Sequence, residues 1–258
     1  MDRYLEHLDA EGYFAHAVPH GVKEMKDVRA TTIVGLLFED GVVLCADSQA
    51  TDIGSLDRLR EPMRKLFLVA QNAVLGVAGT VGFAQTIARI FEAAATHAEC
   101  RFGRALKAEH LSLLLKSILT RFFSVTALEQ GMIVYTLLGA VDDEGGHLYC
   151  ADPLGTLLSF EETGHYAIGS GSVQALTYLA AVGHTEQFRS LSKEKAVAYG
   201  MNALAHAADV NVATGGPFFV AVIDRSGARV LASDEIEAMC SAVFGNDDAP
   251  QTGEEGEG

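Results

Sequence analysis

The first strong pattern in the chain lies at 31–47, TTIVGLLFEDGVVLCAD. Thr32, Val34, Leu36 and Phe38 alternate with Ile33, Gly35 and Leu37, which is the period of a strand. A turn at Glu39-Asp40-Gly41 leads into a second apolar run, Val42-Val43-Leu44-Cys45-Ala46. An Asp-Gly pair between two such runs predicts a hairpin. Thr31 would head one strand and Asp47 would stand at the foot of the next. A hydroxyl and a carboxylate distant along the chain would then be close in space.

A second strand pair is predicted at 66–69 and 73–78, turning at Gln71-Asn72 and closed by Gly79. Phe83, Ile87, Ile90, Phe91 and Ala94 have the spacing of an amphipathic helix over 83–98. Leu111, Leu114, Leu115, Ile118 and Phe122 repeat it over 107–124. Strand character returns at 133–141, 147–151, 156–160 and 166–168. Two further helices are predicted at 172–182 and 192–208, the second with Ser192 as its cap. A strand at 217–224, a short strand and a short helix near 234–244 finish the pattern. Strands joined by tight turns are antiparallel, and two such sheets need their outer faces covered. The order strands, helix pair, strands, helix pair, strands predicts an α+β fold, a four-layer αββα sandwich.

Residues 1–30 lack this order. Tyr4, His7, Tyr13, Phe14 and His16 mix with charges, and Pro19 and Gly21 break any helix. We expect a leader at 1–30, one domain at 31–244 and a disordered acidic tail at 245–258. The chain of 258 residues is 49% hydrophobic, enough for a substantial core, and carries a formal charge of −15. That charge argues against nucleic acid or an anionic membrane as partner. Cys45, Cys100, Cys150 and Cys240 are scattered without a CxxC, which fits reduced thiols in a cytoplasmic protein. No run is long enough to span a membrane, and no signal peptide is present.

The common catalytic motifs are missing. There is no phosphate loop, no GxGxxG, no HExxH and no GxSxG. The nine histidines show no metal-ligand spacing with carboxylates and are expected at the surface or as satisfied core residues. Without a histidine base, a threonine nucleophile needs another proton acceptor. An N-terminal threonine has one in its own α-amine, whose pKa lies near ~8. Thr31 could act so only if residues 1–30 were removed.

The stretch TTIVGLLFEDGVVLCADSQAT resembles proteasome β-type subunits, together with RKLF at 64–67, GVAGT at 76–80, IGSGS at 168–172 and ATGGP at 213–217. These segments occur in the family order, over about residues 31–240. The resemblance implies the N-terminal-nucleophile hydrolase sandwich, in agreement with the layer order above. It implies Thr31 as nucleophile, freed by cleavage after Ala30, with Lys65 beside it and Asp47 holding the lysine. Gly79 would present its N–H to the oxyanion, and Ser170 and Thr214 would support the terminal amine. The first specificity pocket would be formed by Ala50, Thr51, Met63, Phe67, Val77 and Val81, with no charged residue. No metal or other cofactor is implied. The implied partners are copies of this chain in stacked, seven-membered rings, an α-type ring, an ATPase unfoldase, and protein or peptide substrates.

Two positions depart from the family pattern. Asn211 stands where an aspartate is usual, with Asp209 two residues earlier, and Ala30 stands where glycine usually precedes the nucleophile. Both weigh against self-processing. Three functions therefore stand from sequence: a threonine endopeptidase, an unprocessed structural ring subunit, and a small-molecule amidase on the same fold.

Overall fold

The structure is a computed structural model and describes residues 28–29, 31–52, 62–122 and 133–245. The rest of the expected leader, including Ala30, the turn-rich stretch 53–61 and the tail from 246 lie outside the described residues.

The chain opens with β1 (Val28–Arg29), the hairpin β2 (Thr32–Phe38) and β3 (Gly41–Ala46), and the short β4 (Thr51–Asp52). A second hairpin follows, β5 (Leu66–Ala70) and β6 (Ala73–Gly79), then helices α1 (Val81–Phe102) and α2 (Ala108–Phe122). Next come β7 (Val134–Asp142), β8 (Gly145–Ala151), β9 (Leu157–Ser159) and β10 (His165–Gly169). The order ends with α3 (Ser172–Gly183), a 3-10 turn at Phe188–Ser190, α4 (Lys193–Val210), β11 (Phe219–Asp224), β12 (Gly227–Val230) and α5 (Ser233–Phe244). One sheet has the order β10-β2-β3-β11-β12, the other β5-β6-β7-β8-β9, and β1 pairs with β4 apart from both. All pairings are antiparallel.

The layers follow from the alternation in β2. Val34, Leu36 and Phe38 pack with residues of α3, α4 and α5, while Ile33 and Leu37 enter the cluster between the two sheets. All seven residues of β2 are buried. The period of two thus separates two apolar layers, not a core from water. On the other side, Phe83, Ile87 and Phe91 of α1 and Leu111 and Leu115 of α2 cover Leu75, Val77 and Leu138 of the second sheet. These layers are the predicted αββα sandwich. The expected helix pair on the first sheet is a trio, because α5 buries Ile236 and Cys240 in the same cluster.

Local chemistry sets the element ends. Ser192 caps α4 by accepting from the Lys195 N–H at 3.3 Å, as its position predicts. Helix α1 stops at Gly103, whose φ of 65° is the left-handed region. The first hairpin differs in one detail from expectation. Phe38 pairs directly with Gly41, so the loop is Glu39-Asp40 alone and Gly41 is already strand. Glycine is required there because β11 passes close by: a β-carbon at 41 would lie 2.0 Å from Ile223 O.

His147 on β8 ties the far end of the second sheet. Its Nε2 bonds Asp142 at 2.9 Å and its Nδ1 bonds Glu161 at 2.8 Å. Asp142 also accepts the first N–H of α2, from Ala108, at 3.0 Å. Burial alone would lower the His147 pKa, but the bonds to Glu161 and Asp142 outweigh it and raise it above the ordinary value. Burial likewise opposes the shift at both carboxyls, yet their donors leave Asp142 and Glu161 below the usual range. A raised histidine contributes stability fully below its unfolded pKa of about 6.5, and that contribution is lost as pH rises through the higher folded value. The carboxylates contribute above their unfolded values and lose it as pH falls through the lowered ones. The melting-temperature gap between wild type and His147→Gln is therefore expected to be widest near pH ~5–6 and to narrow on the alkaline side. A gap that widens with rising pH would contradict a charged His147.

Candidate active site

The ends of both hairpins meet. Thr31 precedes β2 and Asp47 follows β3, and the pairing of Ile33 with Ala46 sets them side by side. Asp47 N–H donates to Thr32 O at 3.1 Å, and Thr32 N–H donates to Asp47 Oδ1 at 2.7 Å. Lys65 comes from the other sheet, just before β5, and its Nζ donates to the same Oδ1 at 2.7 Å. Val77 N–H on β6 donates to Lys65 O at 3.0 Å, which fixes the lysine backbone against the strand that ends in Gly79.

A second group closes on Thr31 and Thr32 from the C-terminal half. Thr31 O accepts from Ser170 N–H at 2.8 Å and from Ser170 Oγ at 3.3 Å. Thr32 Oγ1 bonds Thr214 Oγ1 at 2.7 Å and accepts from Gly171 N–H at 2.9 Å. Asn211 Nδ2 donates to Ser170 O at 2.7 Å, and its Oδ1 accepts from Ala213 N–H at 2.9 Å. Asn211 therefore braces the Ser170 turn by donating, which a carboxylate cannot do. Asp209 is exposed on α4.

The site is dry and charged at once. Thr31 is 4% exposed, Asp47 0% and Lys65 4%. Burial pushes the Asp47 carboxyl up, against the pull of the Lys65 ammonium and the N–H donors of Thr32 and Gly215. Burial also pulls the Lys65 ammonium below its ordinary value, against Asp47. Both shifts share one cause, the removal of two charges from water. The donors Thr32 N–H, Lys65 Nζ and Gly215 N–H on Asp47, and the acceptors Asp47 Oδ1 and Gln49 O on Lys65, favour the ionised pair, because each buried charge then has partners. An ammonium held at reduced pKa in a dry site can stabilise negative charge or share a proton with a neighbouring hydroxyl.

Gly79 has a φ of 132°, and a β-carbon there would lie 1.9 Å from Ile133 O. No side chain fits there, so the position requires glycine. Among the expected specificity positions, Ala50 and Val77 are buried, while Met63, Phe67 and Val81 are half-buried. Phe67 packs against the cluster that includes Val77, and the Arg64 guanidinium sits 5.5 Å above its ring. Thr51 lies in β4, opposite Arg29. Ala30, expected at the processing bond, is outside the described residues. Sequence reasoning missed Thr32, Gln49 and Gly215 as members of the network. The Thr-Thr doublet and the Gly-Gly turn are the signals that point to them.

Two antiparallel sheets packed face to face, with helices outside both, are the αββα sandwich of the N-terminal-nucleophile hydrolases. Residues 28–223 match the family described as Proteasome subunit. A proteasome subunit beta of Gordonia bronchialis is 33% identical over 248 residues, covering 89% of this chain and 77% of that one. A proteasome subunit beta of Methanocaldococcus jannaschii is 33% identical over 222 residues, covering 85% of this chain and 92% of its own. That of Halobacterium salinarum is 30% identical over 211 residues, covering 81% and 80%. The chain belongs to the proteasome subunit family, with β subunits as these relatives. Among the described residues no helix is long and apolar enough to cross a membrane.

Proposed function

We propose that this chain is a threonine endopeptidase, the proteolytic subunit of a ring-shaped, self-compartmentalising protease in the cytoplasm. Removal of residues 1–30 frees the Thr31 amine. That amine takes the Thr31 Oγ proton, directly or through water, as Oγ attacks the substrate carbonyl. The tetrahedral oxyanion is met by the Gly79 N–H, and Lys65, oriented by Asp47, favours the developing negative charge. Collapse breaks the C–N bond, and the leaving amine takes back the proton. Water then hydrolyses the Thr31 ester, releasing the acid and restoring the hydroxyl. Ser170 holds the Thr31 carbonyl, Asn211 braces Ser170, and Thr214 bonds the Thr32 hydroxyl.

The observation that carries this function is the buried Lys65–Asp47 pair bonded to the Thr32 amide, one peptide from Thr31. Further support comes from β1. Val28 lies opposite Asp52 and Arg29 opposite Thr51, so an extended segment leading to the 30–31 bond already pairs with β4. A substrate strand would use the same main-chain groups after the leader departs. Stacked heptameric rings of this chain, with an α-type ring and an ATPase unfoldase as partners, belong to the same proposal.

The function as an unprocessed structural subunit rests on Ala30 and Asn211. Asn211 makes its own tie to Ser170 as a neutral amide, so its side chain is no obstacle to an ordered site. A panel of fluorogenic peptides tests the proposal. Cleavage after large apolar residues is expected to exceed cleavage after Arg or Glu by about tenfold or more, because the pocket positions are apolar. Faster cleavage after Arg or Glu would refute the apolar pocket. Hydrolysis of small amides with no peptide cleavage would favour the amidase.

A further inference from the structure

We propose that Arg64 determines specificity: its guanidinium recognises a carboxylate on the substrate, so that the preferred peptides carry Glu or Asp close to the apolar residue after which they are cut. The proposal rests on the peptidase function above. Arg64 directly precedes Lys65, and its side chain is exposed. The backbone is pinned on both sides of it. Met63 N–H donates to Ser48 O at 2.9 Å, and Lys65 O accepts from Val77 N–H at 3.0 Å. Residue 64 is thereby fixed between a pocket position and the buried lysine.

The side chain is held as well. Arg64 Nε donates to Leu66 O at 2.8 Å, and the guanidinium carbon lies 5.5 Å from the centroid of the Phe67 ring, over its face. Phe67 packs against the cluster that includes Val77, so the guanidinium rests on a ring of the expected first pocket. Of its five N–H groups, one is used by Leu66 O. The four on Nη1 and Nη2 have no carboxylate partner among the described residues. They form the edge that takes a carboxylate through two parallel bonds.

Charge sets the class of substrate. The chain has 34 Asp and Glu against 19 Lys and Arg. Carboxylates are abundant, yet Arg64 is held by a carbonyl and a ring. The neighbouring cation, Lys65, is buried and bonded to Asp47. A formal charge of −15 repels acidic peptides from the molecule as a whole. A preference for an acidic substrate would run against that background and needs a local cation. The expected pocket positions carry no charge, so the acidic residue belongs beside the apolar one and not in the first pocket.

The test uses processed wild type, Thr31→Ala, Arg64→Gln and Arg64→Lys. Matched fluorogenic peptides share one apolar residue at the cut, and Glu or Gln is placed in turn at each of the three positions before it. The readout is the ratio of kcat/KM for Glu over Gln within each enzyme. A general loss of packing at Phe67 slows both peptides and cancels in that ratio. Wild type is expected to prefer Glu by about threefold or more at one position, through KM, with kcat within about twofold. The preference should shrink as salt is raised from about 0.05 M to about 0.5 M. Arg64→Gln should bring the ratio to one or below. Arg64→Lys should keep part of the preference, since the charge stays and the planar fork is lost. If Arg64→Gln does not fold, the Arg64→Lys ratio and the salt dependence decide. An active wild type with no Glu preference at any position overturns the proposal, and so does a preference that survives in Arg64→Gln. Wild type no faster than Thr31→Ala on every peptide overturns the peptidase function itself, and this proposal with it.

Discussion

Thr31→Ala is expected to reduce peptide hydrolysis to background, a loss of at least about 10³-fold, while leaving the fold intact. The hydroxyl is the only group at that position able to form the acyl-enzyme. The contacts that hold the backbone there do not need it: Thr31 O still accepts from Ser170, and Thr32 still bonds Asp47 and Thr214. The variant should melt close to wild type and retain the leader, because the same hydroxyl would attack the 30–31 bond. Hydrolysis assays, intact mass and thermal melts on the two proteins make the comparison. A variant that keeps the wild-type rate would remove Thr31 from the chemistry.

Lys65→Met is the second large effect, and it acts on stability as well as rate. The substitution leaves Asp47, fully buried, as a carboxylate whose remaining donors are two backbone N–H groups. Stranding a buried charge in this way costs about 3–5 kcal/mol. Adding Asp47→Asn removes the stranded charge, so the double variant should recover part of that loss in urea unfolding. Activity should not return, since neither variant has the ammonium that bonds residue 47. Equal stability of Lys65→Met and wild type would mean that Asp47 is already neutral, and the ion pair would have to be abandoned.

The strands were legible because period-two apolar patterning survives even where both faces are buried. In β2 the alternation that suggests a hairpin sorts Val34 and Leu36 toward the helices and Ile33 and Leu37 toward the facing sheet. The same pattern could not reveal that neither face meets water, because that depends on the second sheet. The site was legible in unequal parts. Thr31 and Asp47 are brought together by the hairpin, which local sequence announces. Lys65 comes from the other sheet, and only the resemblance to a family proposed it. Thr32, Gln49 and Gly215 join through backbone groups spread from residue 32 to residue 215, and backbone donors carry no signature in sequence. Gly41 shows the same limit in the fold. The Asp-Gly pair suggests a turn glycine, yet the residue is glycine because β11 passes against it. His147 was expected at the surface or as a satisfied core histidine, and it is the latter, held between two carboxylates.

The central claim is that Thr31 becomes a free N-terminal nucleophile. The intact mass of the purified, assembled protein tests it most directly. The expected result is a mass lacking residues 1–30, with Thr31 as the first residue and with Thr31→Ala remaining full length. A full-length wild-type chain after assembly would contradict the account. The neutral Asn211 brace and Ala30 would then mark a ring subunit that keeps its leader and does no chemistry.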